Sequence, residues 1–338
     1  MAGRFFVAPL VSAFLLIILR LSPVMAQVKI TIGHAAISPR IIPLVIAQEQ
    51  GIFAKHGIDS RLVLIKGAPT LVASLISGDI DLGYTGGSAV LGAAAQGVSL
   101  KILASVSSRL THTLIAGPNL KRAEDLRGKK FGIQSIGGST WMHTMLGLEH
   151  VGLDPKRDQL SLLVIGDSVL IGQALEAGRI DAAVLDGVLV RRLKSKGFSV
   201  IAELQPANIL MLNQGVVVTQ GYLQKRSDIA EKVLMALVES LGFSLAPVNK
   251  PVVLKTMMRR FQIVDTAVAE EGYQDYLTSV ERKPYPSLEA MRNIQRLMAV
   301  HNPKAAGVRV EELIEARFIR KLDEGGFIDK VGAAYGLK

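Results

Sequence analysis

The chain has 338 residues, of which 49% are hydrophobic, 5% aromatic and 20% charged, and its formal net charge is +10. This length allows two domains with substantial cores, and the apolar content argues against global disorder. Basic residues are scattered and aromatic residues are few, so the composition does not indicate a nucleic-acid-binding module. Cysteine is absent, which excludes disulfides, thiol nucleophiles and lipid attachment through a cysteine.

The first 26 residues are typical of a secretory signal peptide. Arg4 supplies a positive charge, residues 5–19 form an apolar run of 15 residues, and Val24-Met25-Ala26 resembles a cleavage site. Such a run is short for a membrane span. We therefore predict cleavage near Ala26 and export to the periplasm, with a retained membrane anchor as the alternative. Cleavage would remove Arg4 and Arg20 and leave a formal charge of +8.

Two stretches 100 residues apart organise the rest of the chain. They read Leu75-Ile-Ser-Gly78-Asp-Ile80-Asp81 and Leu175-Glu-Ala-Gly178-Arg-Ile180-Asp181. Each predicts a helix ended by a glycine in the left-handed conformation, and then a short buried strand. The repeat predicts two similar α/β lobes with a cleft between them. The repeated aspartates could suggest catalysis, but we interpret them as strand-start residues that satisfy backbone groups.

Taken in chain order, the hydrophobic pattern alternates between strands and helices as far as residue 202 and then becomes mainly helical. Strands are predicted at 28–33, 61–65, 80–85, 100–106, 113–116, 130–134, 160–165, 180–185 and 211–219. Helices are predicted at 41–50, 68–77, 123–126, 138–150, 169–177, 227–245, 251–261, 264–277, 287–301, 309–318 and 319–324. This order predicts an α/β fold with mainly parallel sheets. Residues 27–117 with 216–338 would form lobe 1, and residues 118–215 would form lobe 2.

Two glycine loops are the main candidates for ligand binding, because open α/β sheets bind ligands beyond the carboxyl ends of their strands. Gly86-Gly87-Ser88 and Gly137-Gly138-Ser139-Thr140 each open a predicted helix, whose free N–H groups and dipole attract anions. A carboxylate, sulfonate or nitrate group would fit. The plainer interpretation is that these residues are helix caps and turn formers. Neither loop matches a nucleotide-binding motif.

Other polar residues give weaker signals. Trp141 is interpreted either as a wall that stacks on a ligand or as interlobe packing. His143 and His150 lie seven residues apart without a third ligand nearby, so we expect no metal site. The sequence indicates no catalytic residue and no cofactor. The complete set of predicted ligand-binding residues is His34, Ser38, Thr85, Gly86, Gly87, Ser88, Gly137, Gly138, Ser139, Thr140, Trp141, Asp167, Ser168, Asp186 and Gln214.

Several motifs, in their order along the chain, resemble those of a known family. They are Gly51-Ile-Phe53-Ala-Lys-His-Gly57, the first repeat through Gly97, Asp125-Leu-Arg-Gly128-Lys-Lys-Phe-Gly132, Gly138-Ser139, the second repeat through Ala182, and Gly325-Gly326-Phe327-Ile328. In these the chain resembles the periplasmic solute-binding proteins of nitrate, sulfonate and taurine transporters, a family that also includes binders of thiamine pyrimidine precursors. The resemblance covers nearly all of residues 28–328.

This resemblance implies a two-lobe, type II periplasmic-binding-protein fold with two crossover strands and a helical C-terminal segment. It implies a monomer that closes on a small solute and delivers it to a membrane permease driven by an ATPase. Ligand contacts would come from residues 34–38, 86–88, 138–141 and Asp186. Hinges are predicted at 116–119 and 213–216.

Two alternatives stay open at this stage. The first is an enzyme on the same fold, similar to menaquinone-pathway enzymes or a pyrimidine synthase family, although the export signal argues against both. The second is a receptor that presents its ligand to a sensor protein. The sequence does not identify the solute, for which a sulfonate, a carboxylate, a pyrimidine and nitrate are all candidates.

Overall fold

The computed structural model describes residues 27–35 and 38–337. The predicted signal peptide therefore lies outside the described residues. The strands are β1 (Val28–His34), β2 (Ile58–Leu64), β3 (Leu82–Thr85), β4 (Leu100–Arg109), β5 (Thr113–Ala116), β6 (Lys130–Ile133), β7 (Ser161–Val164), β8 (Ala182–Leu185), β9 (Ser199–Glu203) and β10 (Leu210–Thr219).

The α-helices are α1 (Ile42–Glu49), α2 (Ile52–Lys55), α3 (Ala68–Ser77), α4 (Gly87–Ala94), α5 (Ser139–His150), α6 (Ser168–Glu176), α7 (Gly187–Ser195), α8 (Gln220–Lys225), α9 (Ser227–Leu245), α10 (Lys250–Phe261), α11 (Thr266–Ser279), α12 (Leu288–His301), α13 (Pro303–Ala306), α14 (Arg317–Glu324) and α15 (Phe327–Ala334). Short 3₁₀ helices occupy Pro39–Ile41, Ala123–Leu126, Gln205–Ala207, Pro247–Asn249 and Val310–Leu313. Within the described part of the chain, no helix has the length and apolar character needed to cross a membrane.

The strands form two five-stranded sheets, one in each lobe. The first sheet has the order β2-β1-β3-β10-β4 and the second has the order β7-β6-β8-β5-β9. In each sheet the strands of the repeated unit are parallel, whereas β10 in the first sheet and β5 in the second run antiparallel to their neighbours. The two mixed sheets with their helices give the predicted two-lobe α/β architecture.

The chain crosses between the lobes at two places that differ from the sequence prediction. It leaves the first sheet after Arg109 and enters the second at Thr113, and it returns between Glu203 and Leu210. The sequence instead predicts lobe boundaries after residues 117 and 215, and hinges at 116–119 and 213–216. Gly117 and Pro118 are strong turn signals, but they follow β5 inside lobe 2. The first crossing is extended chain without glycine or proline, which gives no such signal.

The repeated aspartates confirm their structural interpretation. The Asp81 carboxylate accepts a hydrogen bond from the Thr31 N–H at 2.8 Å, and the Asp81 N–H donates to the Thr31 carbonyl at 2.9 Å. Asp181 makes the same pair of bonds with Lys130, each at 2.8 Å. Each aspartate thus ties the start of its own strand to the neighbouring strand, so it satisfies backbone groups that would otherwise lack a partner.

The C-terminal helices pack back onto lobe 1, where the predicted helix at 309–318 is wrong in detail. A large core joins the first sheet to α1, α9, α14 and α15. A second core runs through both lobes, because α12 packs on α4 of lobe 1 and on α5 of lobe 2. Between Val310–Leu313 and α14 the chain is extended, since Ile314 forms a β-bridge with Ile102 and the Glu315 N–H donates to the Ile102 carbonyl at 2.9 Å.

Candidate functional site

The two predicted glycine loops face each other where the lobes meet. Gly86 precedes the first turn of α4 in lobe 1, and Gly138 holds the same position before α5 in lobe 2. A Cβ added at Gly86 would lie 3.4 Å from the Ser139 Oγ and 3.0 Å from the Asn213 carbonyl oxygen of β10. The N-termini of α4 and α5 therefore lie close together, beside a crossover strand. We call the residues around this junction, namely Arg40, residues 85–88, His112, Ser139 and Asp186, the interlobe site.

Buried hydroxyl groups line the lobe 1 side of the interlobe site. Thr85 and Ser88, at either end of the first glycine loop, are 1% and 2% exposed. Neither hydroxyl oxygen has a hydrogen-bond partner among the described residues, and the same is true of Ser107 on β4. Buried hydroxyls usually have partners, because desolvating an unbonded one is unfavourable. These hydroxyls are therefore suited to hydrogen-bond a bound solute.

Arg40 brings a positive charge to the interlobe site. It follows Pro39 in the 3₁₀ turn after β1, and its carbonyl accepts a hydrogen bond from the buried Tyr84 hydroxyl at 2.9 Å, which fixes this turn against β3. Burial lowers the pKa of Arg40, and the carboxylates of Asp186 and Asp275 act in the opposite direction. The guanidinium nevertheless stays charged at physiological pH. Its Nε has no partner, and Arg40 takes part in none of the ion pairs, among the residues described.

Two stacked histidines lie beside Arg40. The rings of His112 and His143 are 3.8 Å apart between centroids and tilted by 36°. Burial lowers the pKa of His112 well below its ordinary value, with further contributions from His143 and Arg40, and burial lowers the pKa of His143 to about 3. Both imidazoles are therefore neutral at physiological pH. The residues described contain no cluster of three metal-ligating side chains, and none hydrogen-bonds the His112 Nδ1.

A hydrogen-bond chain defines the tautomer of His143 and links α5 to the crossovers. The Asn213 Nδ2 donates to the Arg109 carbonyl at 2.6 Å, so its Oδ1 is left as the acceptor for the His143 Nε2 at 2.7 Å. His143 thus carries its proton on Nε2. Because Arg109 and Asn213 both lie on crossover strands, this chain connects a lobe 2 helix to the base of the interlobe site.

Acidic residues lie on the opposite side of the site. Asp186 occupies the N-cap position of α7, but its side chain forms no capping hydrogen bond and no ion pair within the described part of the chain. Asp275 reaches across from α11 of lobe 1, and a Cβ added at Gly187 would overlap its carboxylate. Arg191 of α7 pairs with Asp275 at 3.3 Å and also with Glu271. These contacts join the lobes along α7 and α11.

Several predicted ligand residues have structural partners instead. Asp167 caps α6 by accepting from the Val169 and Leu170 N–H groups, both at 3.1 Å. The Thr140 hydroxyl accepts from the Gln134 N–H at 2.7 Å, and the Gln214 side chain donates to the Tyr84 carbonyl at 2.9 Å. In these three cases the side chain caps a helix or bonds a nearby backbone group.

Trp141 and Gly87 also have packing roles. Trp141 is 1% exposed, and its ring meets His301 of α12 edge to face with 4.9 Å between centroids. This contact places Trp141 of lobe 2 against a C-terminal helix of lobe 1, as the interpretation of interlobe packing requires. A Cβ at Gly87 would overlap the Met291 sulfur, so this glycine allows α12 to approach α4 closely.

The remaining predicted residues lie at the ends of their elements. His34 is buried at the end of β1, Ser38 precedes the 3₁₀ turn that carries Arg40, and Ser168 begins α6. Gly137 has a φ of 75°, a left-handed conformation that favours glycine in the turn before α5. Ligand binding by the predicted set stays a prediction.

Sequence reasoning missed Arg40, His112, Ser107 and Asp275. For Arg40 a signal existed, because the predicted ligand-contact segment at residues 34–38 ends two residues before it. Ser107 lies on β4, and His112 follows that strand. Their location at the site depends on the pairing of β4 with β10, which is distant in the sequence. Asp275 lies on a C-terminal helix about 90 residues from Gly187, so nothing in its spacing indicates that the two residues meet.

Comparisons with known proteins identify relatives of this fold. The NMT1/THI5-like family model matches residues 38–249. A binding protein of Brucella abortus (strain 2308) is 33% identical over 149 residues, which is 44% of this chain and 45% of the relative. The taurine-binding periplasmic protein of Escherichia coli (strain K12) is 28% identical over 160 residues, which is 46% of this chain and 48% of the relative.

These alignments thus span about half the length of the curated relatives. Among solved structures, the alkanesulfonate-binding protein SsuA from Xanthomonas axonopodis pv. citri, bound to MOPS, superposes with a TM-score of 0.68 at 20% identity, over 86% of this chain and 99% of that one. Such a distant likeness supports the fold alone. The family model covers more than half of the sequence, and the chain therefore belongs to the NMT1/THI5-like family.

Proposed function

We propose that this protein is the periplasmic solute-binding component of an ABC-type importer and that it holds a small anionic or zwitterionic organic solute in the interlobe site. The observation that carries this proposal is the partly buried Arg40 guanidinium, whose Nε is buried without a partner and which makes no ion pair with the described residues. Withdrawing a charge from water without a counterion is unfavourable. An anionic group between Arg40 and the N-terminus of α4 would remove that cost.

The surrounding groups suit an anion that has no charged partner besides Arg40. The Thr85 and Ser88 hydroxyls can each donate one hydrogen bond, and the first N–H groups of α4 and α5 add further donors with the favourable end of each helix dipole. Carboxylate, sulfonate and nitrate groups could all accept these bonds. A rigid set of neutral donors around one arginine also discriminates against cations.

Closure of the lobes is the proposed mechanism of capture. Two extended segments connect the lobes, and in the described arrangement Arg40 of lobe 1 interacts electrostatically with Asp186 of lobe 2, while Gly86 of lobe 1 lies close to Ser139 of lobe 2. A solute that contacts both lobes binds the closed form better than the open form and shifts the population toward it. The closed form would then be recognised by a membrane permease with its ATPase.

Binding without turnover is part of this proposal. The relatives named above are binding proteins. The two imidazoles nearest to Arg40 are neutral, and one of them is held by Asn213, so their arrangement serves positioning and hydrogen bonding. We propose that the protein works as a monomer in the periplasm.

A ligand screen with a matched pair of variants tests the proposal. Thermal unfolding of the purified protein is measured with a panel of small carboxylates, sulfonates, nitrate and pyrimidines. A solute at 100 times its Kd stabilises the folded state by about 2.7 kcal/mol. Titration calorimetry with each hit then compares the parent protein with Arg40→Gln and with the exposed control Arg309→Gln.

We expect Arg40→Gln to weaken binding by about 10- to 150-fold, because a hydrogen bond to a charged group contributes about 1.5–3 kcal/mol. Arg309 is exposed, and among the described residues its only ion pair is with Glu312 one helical turn away, so Arg309→Gln should leave the Kd unchanged. Equal affinities of the parent and Arg40→Gln for every hit would contradict the proposed site. Consumption of a solute during the titration would contradict the binding-protein assignment.

A further inference from the structure

Helix α10 of lobe 1 carries basic charges and no acidic ones. Its basic residues are Lys250, Lys255, Arg259 and Arg260. Its buried residues, which hold one face of the helix to the core, are Val253, Thr256 and Met257. Val252, Lys255 and Arg259 recur at i, i+3 and i+7, so they lie together on another face, and all three are exposed. Lys255 makes no ion pair with the described residues.

The carboxylates next to α10 leave an excess of positive charge on its surface. Glu49 of α1 pairs with both Arg259 and Arg260, and Glu270 of α11 pairs with Lys250 at 2.6 Å. The Glu49 side chain is 20% exposed, whereas those of Arg259 and Arg260 are 58% and 40% exposed. The guanidinium groups thus face the water, and the carboxylate that they share lies beneath them.

Exposed valines stand at both ends of the same helix. Val264, just beyond the C-terminal end of α10, is 95% exposed, and Val248, just before the N-terminal end, is 80% exposed. Among the large hydrophobic side chains of the described residues, these two are the most exposed. The helix between them spans about 18 Å at 1.5 Å per residue. Asp265, which follows Val264, caps α11 by accepting from the Ala267 N–H at 2.8 Å.

Helix α10 is held on the flank of lobe 1 where that lobe meets lobe 2. It packs along α11, and its Lys250 Nζ lies 5.8 Å from the ring centroid of Tyr273 on that helix. Helix α11 also carries Asp275, which stands against Gly187 of lobe 2. A partner bound to the outer face of α10 would therefore hold the protein with the junction of the two lobes nearby.

We propose that the α10 surface, formed by Val248, Val252, Lys255, Arg259 and Val264, attaches the protein to an anionic lipid bilayer. Lipid phosphates supply the negative charge that the basic side chains lack, and the headgroup boundary removes the valines from water. An acidic protein surface would match the charges but would leave the valines without an apolar partner. A neutral bilayer would match the valines alone. Under the proposed function, this attachment concentrates the loaded protein near the membrane permease.

Vesicle sedimentation tests the attachment. The purified protein without its predicted signal peptide is mixed with phosphatidylcholine vesicles that contain or lack phosphatidylglycerol, at low and at high salt. We expect binding only to the anionic vesicles and a loss of binding at high salt, because salt screens exposed charges. Lys255→Gln should lower the partition coefficient about fivefold, the factor that one basic side chain contributes near an anionic surface. Val264→Ser should lower it severalfold by removing an apolar contact.

Matched variants separate the α10 surface from the net charge of the protein. Lys156→Gln removes the same charge from an exposed position of lobe 2, and Val300→Ser changes a valine of α12 that is 74% exposed. Both should bind vesicles as the parent protein does. Equal losses in Lys255→Gln and Lys156→Gln would overturn α10 as the attachment surface. A parent protein that does not bind the anionic vesicles, or binds both kinds equally, would overturn attachment to anionic lipid.

The outcome for the vesicles is independent of solute binding. Lys255 and Val264 lie outside the interlobe site, so calorimetry should give the same solute Kd for Lys255→Gln, Val264→Ser and the parent protein. Failure of the vesicle experiment would therefore leave the proposed function standing. A variant that loses vesicle binding and keeps its solute Kd is also shown to be folded, which excludes misfolding as the cause of the loss.

Discussion

The two lobes contain the same structural unit 100 residues apart, and they agree in everything that builds the scaffold. Leu75 and Leu175 are 4% and 2% exposed, and Ile80 and Ile180 are 4% and 2% exposed. The aspartate that follows each isoleucine bonds the neighbouring strand in the same way. The conserved geometry of the unit therefore serves folding, since these positions lie in the cores or at the strand starts of both lobes.

The lobes differ where the strand of the repeated unit ends. Lobe 1 has Thr85 at the end of β3 and Gly86 after it, where lobe 2 has Leu185 at the end of β8 and Asp186 after it. One loop thus presents a hydroxyl and an open backbone, and the other presents a carboxylate. The comparison teaches that the two lobes share a scaffold and differ in the residues at the strand ends, so that the proposed site would combine groups that neither lobe has alone.

The largest expected contrast is at Leu91 and Arg191, which occupy the same position in α4 and α7. Leu91 is fully buried, whereas the Arg191 side chain is about one-third exposed and pairs with Glu271 and Asp275. We expect Leu91→Ala to lower the free energy of unfolding by about 2–5 kcal/mol through loss of core packing. Arg191→Ala should cost less than about 1 kcal/mol, because partly exposed ion pairs contribute little.

Chemical denaturation of both variants measures this contrast. Equal losses would show that the repeat preserves the energetics of this helix position as well as its place in the fold. Because the Arg191 ion pairs join the lobes, Arg191→Ala should also weaken solute binding modestly by destabilising the closed form, which calorimetry can detect separately from unfolding.

Most of the fold follows from local sequence patterns. The helices Ala68–Ser77 and Ser227–Leu245 and the strand Thr113–Ala116 have the predicted bounds. Hydrophobic periodicity and glycine stops determine these elements, and both are short-range signals. The lobe crossings were harder to predict because they are extended segments that continue a strand. The final helix, Phe327–Ala334, is eight residues long and was not predicted, because its signal is weak beside the glycines that precede it.

The glycine loops were predictable because helix N-termini have a sequence signature, but the charges between them were not. Arg40 is a single basic residue in an irregular turn, and the chain contains 39 lysines and arginines, so its identity alone carries no information. Its significance comes from burial and from Asp186 and Asp275, which are 146 and 235 residues away in the chain. Such long-range juxtapositions are fixed by the packing of the lobes.

Acid should destabilise the protein through His143, a buried histidine of lobe 2. The pKa of His143 is lowered by burial to about 3, against an ordinary value of 6.5. Between these two pH values the unfolded chain binds a proton that the native protein does not, so the free energy of unfolding falls as the pH falls. From this residue alone we expect a loss of about 2 kcal/mol at pH 5, at about 1.4 kcal/mol per pH unit.

Urea denaturation between pH 7 and pH 5 measures this dependence. His143→Gln should remove the contribution of His143 and reduce the slope, whereas the contribution of His112, whose pKa is also lowered by burial, should persist. His150→Gln is the matched control, since His150 is exposed on the same helix and its removal should leave the slope unchanged. A slope that is the same in all three proteins would mean that His143 is protonated in the folded state.

The smallest expected difference concerns the repeated aspartates and tests the core of the comparison. Asp81→Ala should lower the free energy of unfolding by about 2 kcal/mol, because it leaves the partly buried Thr31 N–H without a partner. Asp181→Ala should lower it by about 1 kcal/mol, because the Lys130 N–H is exposed to water. Asparagine at either position keeps an acceptor oxygen and should recover much of the loss, which denaturant unfolding of the four variants would show. Solute affinity should change in none of them, because both carboxylates lie at the starts of strands, at the end of each sheet away from the interlobe site. A large loss of solute affinity with normal stability would instead show that the repeated aspartates serve binding. It would contradict the view that the repeated positions build only the scaffold.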